Sequence, residues 1–322
     1  MRQIILSGSS NQELAKEISK HLNVPLTPIE IKRFNDGETY IHVKNSVRGA
    51  KVFIIQPTSP PVNDNLMELL LIVDVCRRAS AAEITVIVPY YGYSRQDRKA
   101  QPREPISAKL AANIIEASGA DRVVTFDLHV DQIQGFFNIP LDNLEALPLI
   151  AEHFLDNNIK DPVVIAPDVG GAKRARRLGR LIDAPIAIID KRRPQHGVTE
   201  VLSIIGDVEG KNAIIVDDMI DTAGTIISAV KVLKEKGAKD IYVAATHPLL
   251  SGEAVERLKD DSIKEIIVTN TIEIPKEKRF KRLKVISLAH LLAESIKRIY
   301  DGEPMGVLFD GMYDRIAKKK GE

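Results

Sequence analysis

The feature that most constrains the fold of this chain is an alternation of short apolar runs with amphipathic runs of helical length. Runs rich in β-branched residues predict strands at residues 4–7, 51–55, 83–88, 122–126, 163–166, 186–190, 213–216, 241–246, 265–269 and 284–287. Helices are predicted between them, among others at residues 12–22, 64–79, 107–118, 225–236 and 288–300. Because parallel strands need a long crossover, this order predicts an α/β fold with mainly parallel sheets flanked by helices.

The length of the chain predicts more than one domain. It has 322 residues, and a single hydrophobic core stops growing at about 250–300 residues. The α/β pattern runs twice, before and after about residues 140–148. We therefore predict two similar α/β domains, residues 1–145 and 146–300. A tail rich in Gly and Lys, residues 301–322, either frays or returns to pack on the first domain.

Charge and cysteine content exclude several classes of protein. Lys plus Arg is 45 and Asp plus Glu is 44, so the formal net charge is +1. This balance gives no general attraction to nucleic acid or to an anionic membrane. The single cysteine, Cys76, lies in an apolar run and predicts a buried packing residue. Because no signal peptide or membrane-spanning run is recognisable, we expect a soluble cytoplasmic protein.

The strongest functional pattern is the segment that follows the predicted strand 213–216. It reads Asp217-Asp218-Met219-Ile220-Asp221-Thr222-Ala223-Gly224-Thr225 and enters a helix predicted to start near Thr225. Backbone N–H groups at a helix N-terminus bind anions, and small residues let a phosphate approach them. Carboxylates, which only accept hydrogen bonds, suit the hydroxyls of a sugar. The segment therefore predicts a site for a phosphorylated ribose: Thr222, Ala223, Gly224 and Thr225 for the phosphate, Asp217 and Asp218 for the ribose hydroxyls, and Asp221 near the reacting sugar.

The alternative for this segment is a plain strand–loop–helix turn in which Asp and Thr are capping residues. Capping explains one such residue, but not three carboxylates together with two threonines. The phosphoribose interpretation is therefore preferred.

Further polar clusters follow other predicted strands, at the strand ends where open α/β sheets bind ligands. They are Arg95-Gln96-Asp97-Arg98-Lys99, Asp127-Leu128-His129, Asp168-Val169-Gly170-Gly171-Ala172-Lys173-Arg174 and Lys191-Arg192-Arg193-Pro194-Gln195-His196-Gly197. Each has a structural alternative, since basic loops are usually solvated and a lone histidine is more often a packing residue. Asn35-Asp36-Gly37 by itself predicts only a hairpin turn.

Taken together, these motifs resemble those of one family, the ribose-phosphate pyrophosphokinases. The segments 127–129, 132–140, 95–99, 105–110, 168–174 and 217–225 carry the resemblance, which covers nearly the whole chain. It implies that both domains are of the phosphoribosyltransferase type.

The resemblance also implies an activity, namely Mg²⁺-dependent transfer of the β,γ-diphosphoryl group of ATP to the 1-hydroxyl of ribose 5-phosphate. The products would be phosphoribosyl pyrophosphate and AMP. Residues with implied roles are Phe34, Asp36, Glu38, Arg95 and Gln96 for ATP, His129 and Asp168 for the metal, and Lys191 and Arg193 for catalysis. Two alternatives are a phosphoribosyltransferase that consumes phosphoribosyl pyrophosphate and a non-catalytic regulatory relative.

Assembly and regulation are also implied only by the resemblance. Members of the family usually form hexamers, and many are activated by phosphate and inhibited by ADP. Arg48, Gln134 and Asn143 match positions implicated in that regulation. Serines expected near positions 304 and 306 are replaced by Pro304 and Gly306, which lack hydroxyls that would bind an anion.

Overall fold

The computed structural model describes residues 1–192 and 201–321. It divides the chain into two compact units. Unit 1 comprises Met1–Glu145, Thr271–Glu273 and Ser287–Leu308, and unit 2 comprises Ala146–Asn270, Ile274–Ile286 and Phe309–Glu322. The first change of unit falls within the predicted junction at residues 140–148.

Unit 1 contains a parallel sheet and a separate hairpin. Its strands are β1 (Gln3–Ser7), β2 (Ile29–Arg33), β3 (Thr39–Val43), β4 (Lys51–Ile55), β5 (Glu83–Val88), β6 (Arg122–Phe126) and β7 (Leu141–Leu144). The sheet has the order β1-β4-β5-β6-β7, and all neighbouring strands are parallel. β2 and β3 pair antiparallel with each other.

Unit 2 contains a larger sheet. Its strands are β8 (Pro162–Ala166), β9 (Ile186–Arg192), β10 (Val201–Ile205), β11 (Asn212–Ile220), β12 (Ile241–Pro248), β13 (Ile263–Thr269) and β14 (Leu283–Ile286). Their order is β10-β9-β8-β11-β12-β13-β14, with only β10 antiparallel to its neighbour among the described strands. From β8 the chain first turns to β9 on one side and later returns to β11 on the other. The boundary between β8 and β11 is therefore a topological switch point, where open α/β sheets bind their ligands.

Helices cover these sheets. They are α1 (Gln12–Leu22), α2 (Val62–Arg78), α3 (Ser107–Ser118), α4 (Leu147–Asp156), α5 (Ala172–Leu181), α6 (Gly224–Glu235), α7 (Ala254–Leu258), α8 (Ala289–Asp301) and α9 (Gly306–Lys320). Residues of β8 alternate between two cores, with Val163 and Ile165 in one and Val164 and Ala166 in the other. The sheet of unit 2 is thus buried on both faces, which explains why its strands are continuously apolar.

The structure places the last two helices differently from the sequence analysis. Helix α8, predicted for the second domain, belongs to unit 1, where the backbone oxygen of Tyr300 accepts from Lys51 Nζ at 3.2 Å. Helix α9 neither frays nor belongs to unit 1 beyond Leu308. Ile316 is buried in a core of unit 2, and Lys319 Nζ lies 2.6 Å from Asp156 Oδ1.

Cys76 is fully buried in the core of unit 1, as predicted. Burial raises the pKa of its thiol to about 12, so the thiol stays protonated at neutral pH and is a poor nucleophile. No helix in the described part of the chain combines the length and apolarity needed to cross a membrane.

Candidate active site

The connection between β11 and α6 has the backbone geometry of an anion site. β11 ends at Ile220 and α6 begins at Gly224, so a very short loop joins them. Ala223, the N-cap residue of α6, has a left-handed φ of 61° and makes no side-chain capping hydrogen bond. The first N–H groups of a helix lack intrahelical partners and carry the positive end of its dipole. This turn can therefore donate to the oxygens of a phosphate.

The loop is held by backbone hydrogen bonds, and a small residue at position 224 leaves room for a methyl group. Arg257 Nη1 donates to the backbone oxygen of Thr222 at 3.0 Å, and Ser251 N donates to that of Asp221 at 2.9 Å. A Cβ atom built on Gly224 would make ordinary contacts with Arg257 Nη1 and Thr222 Oγ1, each at 3.8 Å. The backbone N–H groups of this turn are therefore held in a fixed position by the rest of the chain.

Asp217 and Asp218 lie inside β11, whereas the sequence analysis ended this strand at residue 216. β8 ends at Ala166, but β12 continues to pair with β11 as far as Ile220 and Pro248. Pairing with this fully buried neighbour holds two polar residues in extended conformation. The side chain of Asp218 is 3% exposed and that of Asp217 is 27% exposed.

A single arginine bridges these two carboxylates. Arg174 Nη1 of α5 lies 3.3 Å from Asp217 Oδ1 and 3.5 Å from Asp218 Oδ1. In the sequence, Arg174 lies within a basic run that is typical of a solvated helix face. Its spacing from Ala175 and Leu178, both fully buried, places it at the edge of the apolar stripe of α5, and this pattern could have singled it out.

The environment of Asp217 changes its proton affinity. Burial raises the pKa of Asp217 to about 7, the negative charge of Asp218 adds to the rise, and the Arg174 guanidinium opposes it. Asp217 therefore exchanges a proton near neutral pH, in the absence of a ligand.

The second predicted loop of unit 2 lies next to this one. Asp168 follows β8, and its Oδ1 accepts from Gly171 N at 2.9 Å directly before α5 begins. Asp168 is exposed, and the side chain of Val169 is 65% exposed. Because β8 and β11 are adjacent and parallel, the structure brings Asp168 and the segment 217–225 together at the switch point.

In unit 1 the structure brings two of the predicted ATP clusters to the first turn of α2. Arg33, at the start of the hairpin turn, forms a 2.9 Å ion pair with Asp64. The hydroxyl of Tyr93, in the loop that follows β5, donates to Asn63 Oδ1. The turn with Phe34, Asp36 and Glu38 and the loop with Arg95 and Gln96 are thus tied to neighbouring residues of one helix.

The ring of Phe34 is suited to stacking on a base. Its side chain is 54% exposed, and the Tyr40 ring contacts it edge-on with the ring centroids 5.8 Å apart. Asp36 Oδ1 accepts from Glu38 N at 3.1 Å, which shapes the turn. An exposed aromatic ring beside acidic side chains can hold a purine by stacking and by accepting hydrogen bonds from its amino group.

His129 follows β6, the strand next to β5, and is exposed. The segment before it is held by Asn143 of β7, whose Oδ1 accepts from Leu128 N at 3.2 Å. Asp127 has a φ of 33°, so the chain turns sharply before the histidine. Asn143 thereby positions the His129 loop, a contact that the sequence analysis did not anticipate.

The predicted catalytic pair is placed only in part. The backbone of Lys191 pairs with Leu202 near the end of β9, the strand next to β8. Arg193 lies outside the described residues. Within the described residues, no group of three or more His, Cys, Asp or Glu side chains is arranged to hold a metal ion.

Parallel sheets with a helix N-terminus at the switch point are typical of α/β proteins that bind phosphorylated small molecules. Family models narrow this class. The N-terminal domain of ribose phosphate pyrophosphokinase matches residues 3–119, and the phosphoribosyl synthetase-associated domain matches residues 190–310.

Whole-chain comparisons agree with these models. The ribose-phosphate pyrophosphokinase of Staphylococcus saprophyticus is 53% identical over 95% of this chain and 96% of its own. That of Bacillus cereus is 51% identical over the same shares. The crystal structure of phosphoribosylpyrophosphate synthetase from Mycobacterium smegmatis matches with a TM-score of 0.89 and 42% identity, covering 94% of this chain and 100% of the other. The chain belongs to the ribose-phosphate pyrophosphokinase family, and the predicted family and fold class are confirmed.

Proposed function

We propose that this chain transfers the β,γ-diphosphoryl group of ATP to the 1-hydroxyl of ribose 5-phosphate, releasing phosphoribosyl pyrophosphate and AMP. The observation that carries the proposal is the anchored loop at the switch point, which leads into the N-terminus of α6 beside two carboxylates, in a chain of this family. The chain is therefore a diphosphotransferase that uses ATP and ribose 5-phosphate.

Ribose 5-phosphate is held by the segment 217–225. The 5-phosphate accepts hydrogen bonds from the backbone of Ala223, Gly224 and Thr225, with the hydroxyls of Thr222 and Thr225 as further donors. The ribose hydroxyls donate to Asp217 and Asp218, which Arg174 keeps oriented. Asp221, one residue beyond β11, lies next to the sugar.

ATP is held by residues of unit 1. Phe34 stacks on the adenine, Asp36 and Glu38 accept hydrogen bonds from its edge, and Arg95 and Gln96 bind the phosphates. The ion pair of Arg33 with Asp64 and the hydrogen bond from Tyr93 to Asn63 support this assignment. They connect the turn with Phe34 and the loop with Arg95 to the same helix, α2.

Mg²⁺ is the metal that this donor set fits. It prefers hard oxygen ligands, keeps several waters and usually takes only one or two carboxylates from the protein. Asp168 is exposed, and among the described residues only Gly171 is hydrogen-bonded to it. We assign Asp168 as a ligand and His129 as a ligand or a hydrogen-bonding group. When bound, the ion would neutralise charge on phosphate oxygens.

The chain itself contributes position and charge to the reaction. The oxygen of the 1-hydroxyl attacks the β-phosphorus in line and its proton is released to solvent. The bond from the β-phosphorus to the oxygen of the α-phosphate breaks, and AMP leaves with that oxygen. No protein nucleophile is needed, so catalysis rests on orientation and on cations at the transferring oxygens. Lys191 and Arg193 supply those cations.

The reaction is tested by incubating the protein with ATP, ribose 5-phosphate and Mg²⁺. We expect AMP and phosphoribosyl pyrophosphate in equal amounts, and no AMP when ribose 5-phosphate is omitted. A phosphoribosyltransferase would instead consume phosphoribosyl pyrophosphate in the presence of a base, and a non-catalytic relative would do neither. Absence of AMP above background would leave only these two alternatives.

The affinity for ribose 5-phosphate is expected to rise with pH between about 6 and 8. Burial of Asp217 raises its pKa to about 7, and only its deprotonated form accepts hydrogen bonds with both oxygens. As pH rises through that value the proton is lost and binding strengthens, by at most about tenfold per pH unit. Calorimetric titration with ribose 5-phosphate at several pH values measures the effect.

The control for this experiment separates Asp217 from the ligand, because a sugar phosphate itself loses a proton near pH ~6. In Asp217→Asn the rise in affinity near pH 7 should disappear, and only the change caused by the ligand's own proton should remain. In Arg174→Met the rise in affinity should occur at higher pH, because the cation that lowers the pKa of Asp217 is removed. Identical profiles in all three proteins would contradict the role of Asp217.

The hexameric state and its regulation are also proposals. Arg48 precedes β4, whereas Gln134 lies in a 3₁₀ helix after β6, Asp131–Phe136. We propose that both residues, together with Asn143, contribute to regulation by phosphate and ADP. Measuring the activity at several concentrations of phosphate and of ADP tests this regulation. Pro304 and Gly306, which replace the serines expected from the family, are the positions at which regulation should differ.

A further inference from the structure

Residues 56–59, which follow β4 and precede α2, are buried although they form no regular secondary structure. Gln56 is 0% exposed and Thr58 and Ser59 are each 2% exposed. This segment leaves the carboxyl end of β4, at the same edge of the sheet as the loop with Arg95 and Gln96. Buried backbone outside helices and strands needs specific partners, and side chains supply them here.

Thr58 connects this segment to the chain that follows β5. Its backbone N donates to the oxygen of Tyr90 at 3.0 Å, and its hydroxyl donates to the same oxygen at 3.2 Å. The hydroxyl oxygen also accepts from Gly92 N at 2.7 Å. One buried hydroxyl thus acts as donor and acceptor within a span of three residues.

The backbones of Thr58 and Gly92 approach each other so closely that position 92 has no room for a side chain. A Cβ atom on Gly92 would lie 2.5 Å from the backbone oxygen of Thr58. After Gly92 the chain turns at Tyr93, which has a φ of 66°, and Tyr93 O accepts from Gln96 N at 2.9 Å. Gln96 O in turn accepts from Ala108 N at 3.2 Å. The two ATP residues therefore lie in a turn whose start is fixed by Thr58.

At its other end the segment is anchored to a buried carboxylate. Gln56 Nε2 donates to Glu68 Oε1 of α2 at 2.9 Å. The same carboxylate accepts from the backbone N of Ser9 at 2.6 Å and from its hydroxyl at 2.7 Å. Gln56 Oε1 accepts from the hydroxyl of Ser10 at 2.7 Å. The backbone that leads into Thr58 is therefore held in place by a network of buried hydrogen bonds.

We propose that Thr58 is a positioning residue for ATP: through Gly92 it sets the place of Arg95 and Gln96, without touching the nucleotide. The proposal rests on the proposed function, because it takes these two residues as phosphate contacts. Small displacements of binding groups have large kinetic consequences, up to about 100-fold for an error of about 1 Å.

Thr58→Val tests the proposal, since it keeps the shape of the side chain and removes the hydroxyl. Gly92 N then lacks its acceptor and the turn shifts. We expect the KM for ATP to rise about tenfold, with the KM for ribose 5-phosphate within about twofold and the melting temperature lowered by a few degrees, because a buried N–H is left without its acceptor. Thr58→Ser, which keeps the hydroxyl, should restore the KM for ATP to within about threefold of the wild type.

An unchanged KM for ATP in Thr58→Val, or an equal rise of both KM values, would overturn the proposal. If Thr58→Val does not fold, Ser10→Ala is the second variant, because Ser10 Oγ also lies 2.8 Å from the backbone oxygen of Pro57. Its KM for ATP should rise selectively but less, and no selective rise would count against Thr58. Wild-type protein that forms no AMP would refute the proposed function itself, which is a distinct result.

Discussion

Replacing Lys191 by alanine is expected to lower kcat on the order of 100- to 1000-fold, while the KM for ribose 5-phosphate stays within about twofold. Charge builds up on the transferring oxygens only in the transition state, so a cation that acts there affects turnover more than binding. The backbone of Lys191 is fixed by its pairing near the end of β9, next to the strand that leads to Asp168. Steady-state rates of AMP formation with both substrates varied measure the two constants.

The control for Lys191 is an exposed lysine of the same unit. Lys264 on β13 pairs with Asp240 at the surface, and Lys264→Ala should leave both kinetic constants unchanged. Lys191→Arg keeps the charge and should retain more activity than Lys191→Ala. Normal turnover in Lys191→Ala would remove this residue from the mechanism.

Replacing Gly224 by alanine is expected to have opposite effects on stability and on substrate binding. The position is helical and a Cβ atom there meets nothing closer than 3.8 Å, so the methyl group fits the ligand-free protein. Alanine in place of glycine in a helix stabilises by about 0.4–1 kcal/mol. In the proposed binding mode the same methyl group occupies space that the 5-phosphate needs, and one lost hydrogen bond to a charged group costs about 1.5–3 kcal/mol. The KM for ribose 5-phosphate should therefore rise roughly 10- to 100-fold.

Thermal unfolding without ligand and steady-state kinetics together measure this prediction for Gly224. Gly311→Ala is the matched control, because Gly311 lies in helix α9 and a Cβ atom there meets nothing within 4 Å. It should share the gain in stability and leave the KM unchanged. Unaltered affinity of Gly224→Ala for ribose 5-phosphate would contradict the proposal that the loop between β11 and α6 binds the 5-phosphate.

The sequence predicts those parts of the site that depend on strand ends. Parallel strands have their carboxyl ends at the same side of a sheet. The polar segments 168–174 and 217–225, which follow β8 and β11, are therefore expected from the sequence to lie near each other. Turn chemistry was equally informative, since Asn35-Asp36-Gly37 does lie in the turn between β2 and β3. These features follow from local residue patterns.

Features that depend on distant partners were not predicted. Asp217 and Asp218 resemble loop residues, and only pairing with the buried strand β12 keeps them extended. Arg174 belongs to a basic run, and although its spacing from Ala175 and Leu178 marks it within that run, its partners Asp217 and Asp218 lie at least 43 residues away. Helix α9 is held by Glu152 and Asp156, whose pairing with Arg315 and Lys319 no local pattern reveals.

The buried carboxylate of Glu68 closes the loop after β1 to an external anion. In unit 1 this loop also leads into a helix, but Ser9 N and its hydroxyl donate to Glu68, and Leu14 N donates to Asn11 Oδ1. By sheet position the loop after β1 corresponds to the loop after β8, and the buried segment after β4 corresponds to the loop after β11. In unit 1 a carboxylate of the chain itself thus takes donors that a ligand would need. We therefore expect one sugar phosphate per chain, and a titration should reach saturation at one equivalent.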